Sequence, residues 1–172
     1  MYPLSVAPYR GHAPLSVKDR FPTMYASDTY PNLPDPMVQP EFYDSVTIKR
    51  GLAWLIDAVL IAALLVPVVV MTAFVGLFFL PFLFFVTGFI YRVATITGRS
   101  ATWGMRLMSI EFRDSRGEHF DFSQAFMHTL GYTVSMSVFP LQLISIAMMF
   151  LTERGQGLTD MVLGTVAINR RL

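Results

Sequence analysis

The sequence predicts an all-α integral membrane protein with two full transmembrane helices, a third hydrophobic segment broken by proline, and a small cytoplasmic two-stranded β element. Three observations carry this. Residues Gly51 to Tyr91 contain one charged side chain, Asp57; a second apolar run, Ser123 to Thr152, contains no Asp, Glu, Lys or Arg; and arginines gather between the runs and after the second. With 53% hydrophobic residues, 15% charged residues and a mean hydropathy of +0.50, the chain is too apolar for a soluble helical domain with polar outer faces.

The amino-terminal stretch is of another kind. Residues 1–40 hold eight of the eleven prolines, and with Tyr43 the tail holds five of the seven tyrosines. Such proline density blocks helix and sheet alike, which predicts a disordered cytoplasmic tail over residues 1–45 and a membrane domain over 46–172. Pro-Leu-Ser-Val occurs at Pro3 to Val6 and again at Pro14 to Val17, fitting either a docking motif or chance recurrence in a biased tail. No secretory signal is expected, because Arg10, Lys18 and Arg20 stand where its apolar region would lie.

As one helix, the run from Gly51 to Tyr91 would extend about 60 Å, roughly twice the hydrocarbon thickness, so it must turn back. The spans are expected at Gly51–Thr72 and Leu77–Ile96, with Pro67 kinking the first and Gly76 and Pro81 near the outer turn. Lys49 and Arg50 precede the first span, Arg92 lies near the end of the second, and Arg99, Arg106, Arg113 and Arg116 follow it. Basic residues concentrate on the cytoplasmic side, which places the amino terminus and the connecting loop there.

In that loop Met108, Ile110 and Phe112 alternate with Ser109, Glu111 and Arg113, a strand pattern, and Asp114 to Gly117 reads as a turn. Thr165 to Asn169 alternates again, and the two segments are expected to pair. Between them, Pro140 divides the second apolar run. The run fits either a single span or a helical hairpin; the hairpin keeps Arg154, Arg170 and Arg171 cytoplasmic and leaves both strands on one face.

Asp57 is the first candidate for chemistry. A charged group at a helix centre costs about 2.5 to 3.5 kcal/mol on insertion scales, so it is expected to face a partner or a pathway. Arg50 shares its helix face but lies about 10 Å away along the axis, and is expected to reach for the interface. Asp57 should then meet a donor from another segment, with His128, Arg92 and Arg106 as candidates. Two readings stay open: an ion or proton site, or a buried bond that locks helices together. His128 shares one helix stripe with Gln124, Tyr132 and Ser135, either an inward face able to carry protons or a plain hydrogen-bond ladder. Trp54 reads as an interface anchor. Asp160 lies between the last apolar run and the second strand, where it could cap a turn.

Three blocks in order, Arg50-Gly-Leu-Ala-Trp-Leu-Ile-Asp57, Thr102-Trp-Gly-Met-Arg106-Leu-Met-Ser-Ile-Glu and Leu158-Thr-Asp160-Met-Val-Leu-Gly164-Thr-Val, resemble the RDD family of small membrane proteins. The resemblance covers about residues 46–171. It implies that the family arginine is Arg50, its first aspartate Asp57 and its second Asp160. Gly104 and Arg106 match a loop usually read Thr-Pro-Gly-Lys-Arg, with Trp103 and Met105 in place of the proline and lysine. An arginine is common in the family where His128 stands. The family implies transport, sodium/proton exchange being attached to some members, whereas others look like assembly factors.

The expected function is therefore a cation or proton transporter component acting through Asp57, with His128 or Asp160 assisting. The alternative is a non-transporting adaptor that recruits a partner through its tail and loop. No enzyme is expected, for want of a nucleophile with an adjacent base or a phosphate-cradling glycine loop. No cofactor and no metal site are expected either; the chain has no cysteine and no ligand-type His/Asp/Glu spacing. A net charge of +1 does not suggest nucleic acid. The expected partners are the lipid bilayer of a bacterial inner membrane and further copies of the chain or another membrane protein, since so few spans make a poor transporter alone.

Overall fold

A computed structural model describes residues 32–170. The expected disorder of the proline-rich tail and its repeated tetrapeptide fall, for residues 1–31, outside the described residues. Helix α1 spans Val46–Met71, about 39 Å at 1.5 Å per residue. It continues through Pro67 without a break. Its buried residues, Ala53, Asp57, Ile61, Leu65 and Val69, recur every fourth position and form one stripe. Val59, Leu64 and Val66 on the other faces are exposed. A 3-10 turn over Val75–Phe79 reverses the chain. There the Gly76 N–H donates to Thr72 Oγ1 at 3.0 Å, and a Cβ on Gly76 would lie 2.8 Å from that oxygen. Helix α2 spans Leu80–Arg99 and opens with Pro81 in its first turn, where a missing N–H removes no helical bond. Both helices are long and apolar enough to cross a membrane.

Helix α3, Trp103–Leu107, begins at Thr102, whose side chain accepts the Met105 N–H. Strand β1 is Ile110–Arg113. Helix α4, Phe122–Ser137, is capped by Asp121, which accepts the Gln124 N–H at 2.8 Å. Helix α5, Phe139–Leu151, carries Pro140 in its first turn and bends 117° from α4 at the break around Val138. Helix α6 is Leu158–Leu163, ended by Gly164 in the left-handed conformation, and strand β2 is Val166–Asn169.

The broken segment turns back on itself, as in the hairpin alternative. Thr47 Oγ1, at the start of α1, donates to the carbonyl of Met149, near the end of α5, at 2.9 Å. Ala125, at the start of α4, packs in one cluster with Val46, Ile96, Ile110, Phe112, Phe120 and Ala167. Both outer ends of the α4–α5 pair thus lie where α1 begins and α2 ends. That position lets β1 and β2 meet as an antiparallel pair, with Phe112 opposite Ala167 and Glu111 opposite Ile168. The first strand is shorter than the alternation suggests because Ser109 adopts a positive φ of 56°.

The second face of the sheet carries Val166 and Ile168, which cluster with Leu33, Phe42 and Tyr43. Residues 32–45, which the proline-rich composition assigns to an extended tail, are therefore held on the sheet. The Tyr43 hydroxyl donates to the Pro34 carbonyl at 2.8 Å, and Asn169 Nδ2 donates to the carbonyls of Glu41 and Asp44. Three side chains near the end of a proline-rich stretch, Leu33, Phe42 and Tyr43, suffice to dock it, which average composition hides.

Candidate functional site

The first long helix and the last short one meet at Asp160. Its Oδ2 accepts the N–H of Gly157, just before α6, at 2.9 Å, so the side chain closes the amino end of its own helix. The same oxygen takes Arg50 Nη1 at 2.6 Å, while Oδ1 meets His128 Nε2 at 2.8 Å and accepts the Thr165 hydroxyl at 3.2 Å. Four contacts fill the carboxylate's accepting capacity. Burial alone would raise the Asp160 carboxyl, but the Arg50 guanidinium and the His128 bond outweigh it and hold the group well below the ordinary carboxylate range. Asp160 is thus a charged hub.

Its partners are fixed in turn. Arg50 Nη1 also donates to the Gly155 carbonyl at 3.2 Å, and the guanidinium lies 5.5 Å from the Phe112 ring centre. The His128 ring packs against Phe112 and Phe120 at centroid distances of 4.4 and 5.6 Å. The sequence sends Arg50 to the membrane interface; the structure sends it inward to Asp160. A closed ion pair at 2.6 Å leaves the side chain only 13% exposed, so the reach toward water is not needed.

Asp57 lies two turns further along α1 and is 1% exposed. Its Oδ1 accepts the Tyr91 hydroxyl at 2.7 Å and the Gly104 N–H at 2.8 Å. The Tyr91 oxygen accepts the Trp103 N–H at 3.1 Å, so one polar cluster joins α1, α2 and the first turn of α3. A Cβ on Gly104 would stand 2.2 Å from the Ala53 carbonyl oxygen and 2.9 Å from Asp57 Oδ1. Only glycine lets the two backbones approach so closely. Neither His128, Arg92 nor Arg106 supplies the donor. Arg106 instead donates to the carbonyls of Thr95, in the last turns of α2, and Ala101, just beyond it, and lies 4.9 Å from the centre of the Trp103 ring. Oδ2 of Asp57 accepts no hydrogen bond among the described residues.

A cavity of about 410 Å³ separates α1 from α4 and α5, and Arg50, Asp57, Arg92, His128, Tyr132 and Asp160 all line it. The predicted stripe on α4 faces it in part: Tyr132 accepts from Trp54 Nε1 at 2.7 Å, and Ser135 donates to Gln142 Oε1 at 2.9 Å. Gln124 departs from the stripe and donates to Asp114 Oδ2 at 3.3 Å. Arg92 stacks its guanidinium 4.2 Å from the Tyr132 ring centre. The cavity therefore collects all three acid and imidazole candidates, His128 and Asp160 in direct contact and Asp57 on a separate cluster.

Three participants escape a reading of the sequence. Thr165 is a strand residue by pattern, and Tyr91 reads as an aromatic end to an apolar run. Gly104 contributes a backbone N–H, which any residue but proline carries. Its one signal is its place in the Thr-Trp-Gly-Met-Arg block.

Compared with protein families, residues 45–164 match the sequence model described as the RDD family. No match is found among curated proteins or among solved structures. The matched span contains Arg50, Asp57, Gly104, His128 and Asp160.

Proposed function

The chain belongs to the RDD family of membrane proteins, and on that premise we propose that it passes protons, or a small cation, through the cavity between α1 and α4–α5, with Asp57 as the exchanging carboxylate. One observation carries this reading. Asp57 is a buried carboxylate in a membrane helix whose Oδ1 is held by two neutral donors, while Oδ2 has no partner among the described residues and the residue lines a cavity. A carboxylate kept for packing alone is favoured when its counter-charge is close and its oxygens are filled, as in Asp160. Asp57 has neither.

Roles then divide among the candidates. Asp160, charged and saturated, positions Arg50 and His128. His128 lines the same cavity as Asp57 and is the imidazole through which a proton leaves or arrives. A proton suits Asp57 better than a dehydrated metal cation. Among the described residues no three acidic or histidine side chains converge as such an ion would require.

The arginine distribution supports a cytoplasmic position for the sheet, the Arg50–Asp160 pair and the cavity. Beyond Ile61 the two long helices and the turn between them expose Leu64, Val66, Phe78 and Phe82, so one chain offers no enclosed route across the far half of the bilayer. Transport accordingly requires several copies, whose α1–α2 hairpins complete the passage. No bond-making chemistry is included in the proposal. Proton flux into proteoliposomes, with and without dicyclohexylcarbodiimide, tests it. Block of flux with the adduct mapped to Asp57 supports the reading, and flux that persists while Asp57 is modified contradicts it.

A further inference from the structure

Two features of the cavity have no part in proton exchange. The first is Arg92. Among the described residues its guanidinium meets no carboxylate within ion-pair distance and donates to no acceptor; it lies 4.2 Å from the centre of the Tyr132 ring. Three other arginines of the membrane domain behave differently: Arg50 reaches Asp160, Arg106 reaches two carbonyls, and Arg113 reaches Glu111. The same cavity is lined by Thr129, 1% exposed, whose hydroxyl oxygen has no partner among the described residues. An uncompensated guanidinium inside a membrane helix calls for an anion, and a buried hydroxyl calls for a polar neighbour.

The second feature is the opening. The lining residues Ile48 and Trp54 of α1 and Ile146 and Phe150 of α5 are exposed at the surface of the bundle. The bond from Thr47 to Met149 closes the seam between these helices at one end only. The cavity thus opens sideways between α1 and α5 through an apolar rim.

We propose that this cavity admits the headgroup of a membrane phospholipid through the side opening, with the phosphate on Arg92 and the acyl chains left outside along Ile146 and Phe150. A guanidinium presents paired N–H groups to phosphate oxygens, and stacking on Tyr132 leaves its edge free to do so. The volume suits a headgroup rather than two acyl chains. Once Arg50 is neutralised by Asp160, the remaining charges of the wall are Arg92 and Asp57, of opposite sign. A headgroup carrying both a phosphate and an ammonium matches them, so phosphatidylethanolamine is favoured over phosphatidylglycerol. The phosphate site rests on Arg92 and the opening and stands or falls apart from proton exchange; only the preference for an ammonium headgroup also draws on the Asp57 carboxylate.

Trp54 reports on the site. The chain has two tryptophans, so Trp103→Phe leaves Trp54 as the sole emitter. In detergent, short-chain phosphatidylethanolamine should change Trp54 emission to saturation, and inorganic phosphate should not. Arg92→Gln should weaken the lipid effect about tenfold or more, with Arg92→Lys intermediate because it keeps the charge and loses the paired geometry. If Arg92→Gln does not fold, a weakened response in Arg92→Lys at unchanged unfolding temperature decides in favour. An unsaturable lipid response, or equal binding by the folded variants, overturns the proposal. An equal response to inorganic phosphate overturns it in favour of a soluble anion.

Discussion

Arg50 and Asp160, 110 residues apart, close a 2.6 Å ion pair that ties the first membrane helix to the last short helix. Because the pair is nearly excluded from water, removing either partner strands the other. Asp160→Asn and Arg50→Gln should each cost roughly 3 to 5 kcal/mol, and the double variant much less than their sum. Denaturant unfolding in detergent micelles measures this; additive losses would mean that the pair is not a unit.

The same hub sets a pH dependence. Folding lowers the Asp160 carboxyl below its ordinary value of 3.8, so its stabilisation is present in full above that value and is lost as pH falls through the lower, folded value. Thermal unfolding followed from pH 6 downward should therefore show a loss of stability at acid pH that is smaller in Asp160→Asn. Identical acid profiles for the two proteins would contradict the assignment.

Gly104 should not tolerate a side chain. Gly104→Ala places a methyl group 2.2 Å from the Ala53 carbonyl oxygen, so α3 must move off α1 and the N–H bond to Asp57 must lengthen or break. The expected cost is about 2 kcal/mol or more, combining steric displacement with a lost charge-assisted hydrogen bond. A Gly104→Ala protein with wild-type unfolding would show that this close approach is not maintained in the membrane.

The architecture was legible because its signals are periodic or compositional. Asp57 stands alone in a long apolar run, the alternations at Ile110–Phe112 and Val166–Ile168 mark two strands that do pair, and Pro140 falls at the break between α4 and α5. The partners within the site were not legible, because they depend on contacts between distant segments. Nothing in the spacing of Arg50 says that it turns toward a residue 110 positions away. The donors to Asp57 are a tyrosine hydroxyl and a backbone amide, while the charged residues that seemed to offer themselves, Arg92 and Arg106, go to a ring face and to helix-end carbonyls. Charge is easy to read from a sequence, and neutral donors are not. The docking of Leu33, Phe42 and Tyr43 on the sheet was hidden for a related reason: a few anchoring side chains outweigh a composition that resists regular structure.

Proton uptake by proteoliposomes under an imposed pH gradient, compared between the wild type and Asp57→Asn at equal reconstituted density, addresses the role of Asp57 most directly. The amide nearly preserves the shape of the carboxyl group, and its oxygen can still accept from Tyr91 and Gly104, so the variant should insert and unfold at close to the wild-type temperature. Uptake should fall to the level of empty vesicles. Uptake at the wild-type rate through folded Asp57→Asn would contradict the exchange reading and leave Asp57 as a brace that holds α3 against α1.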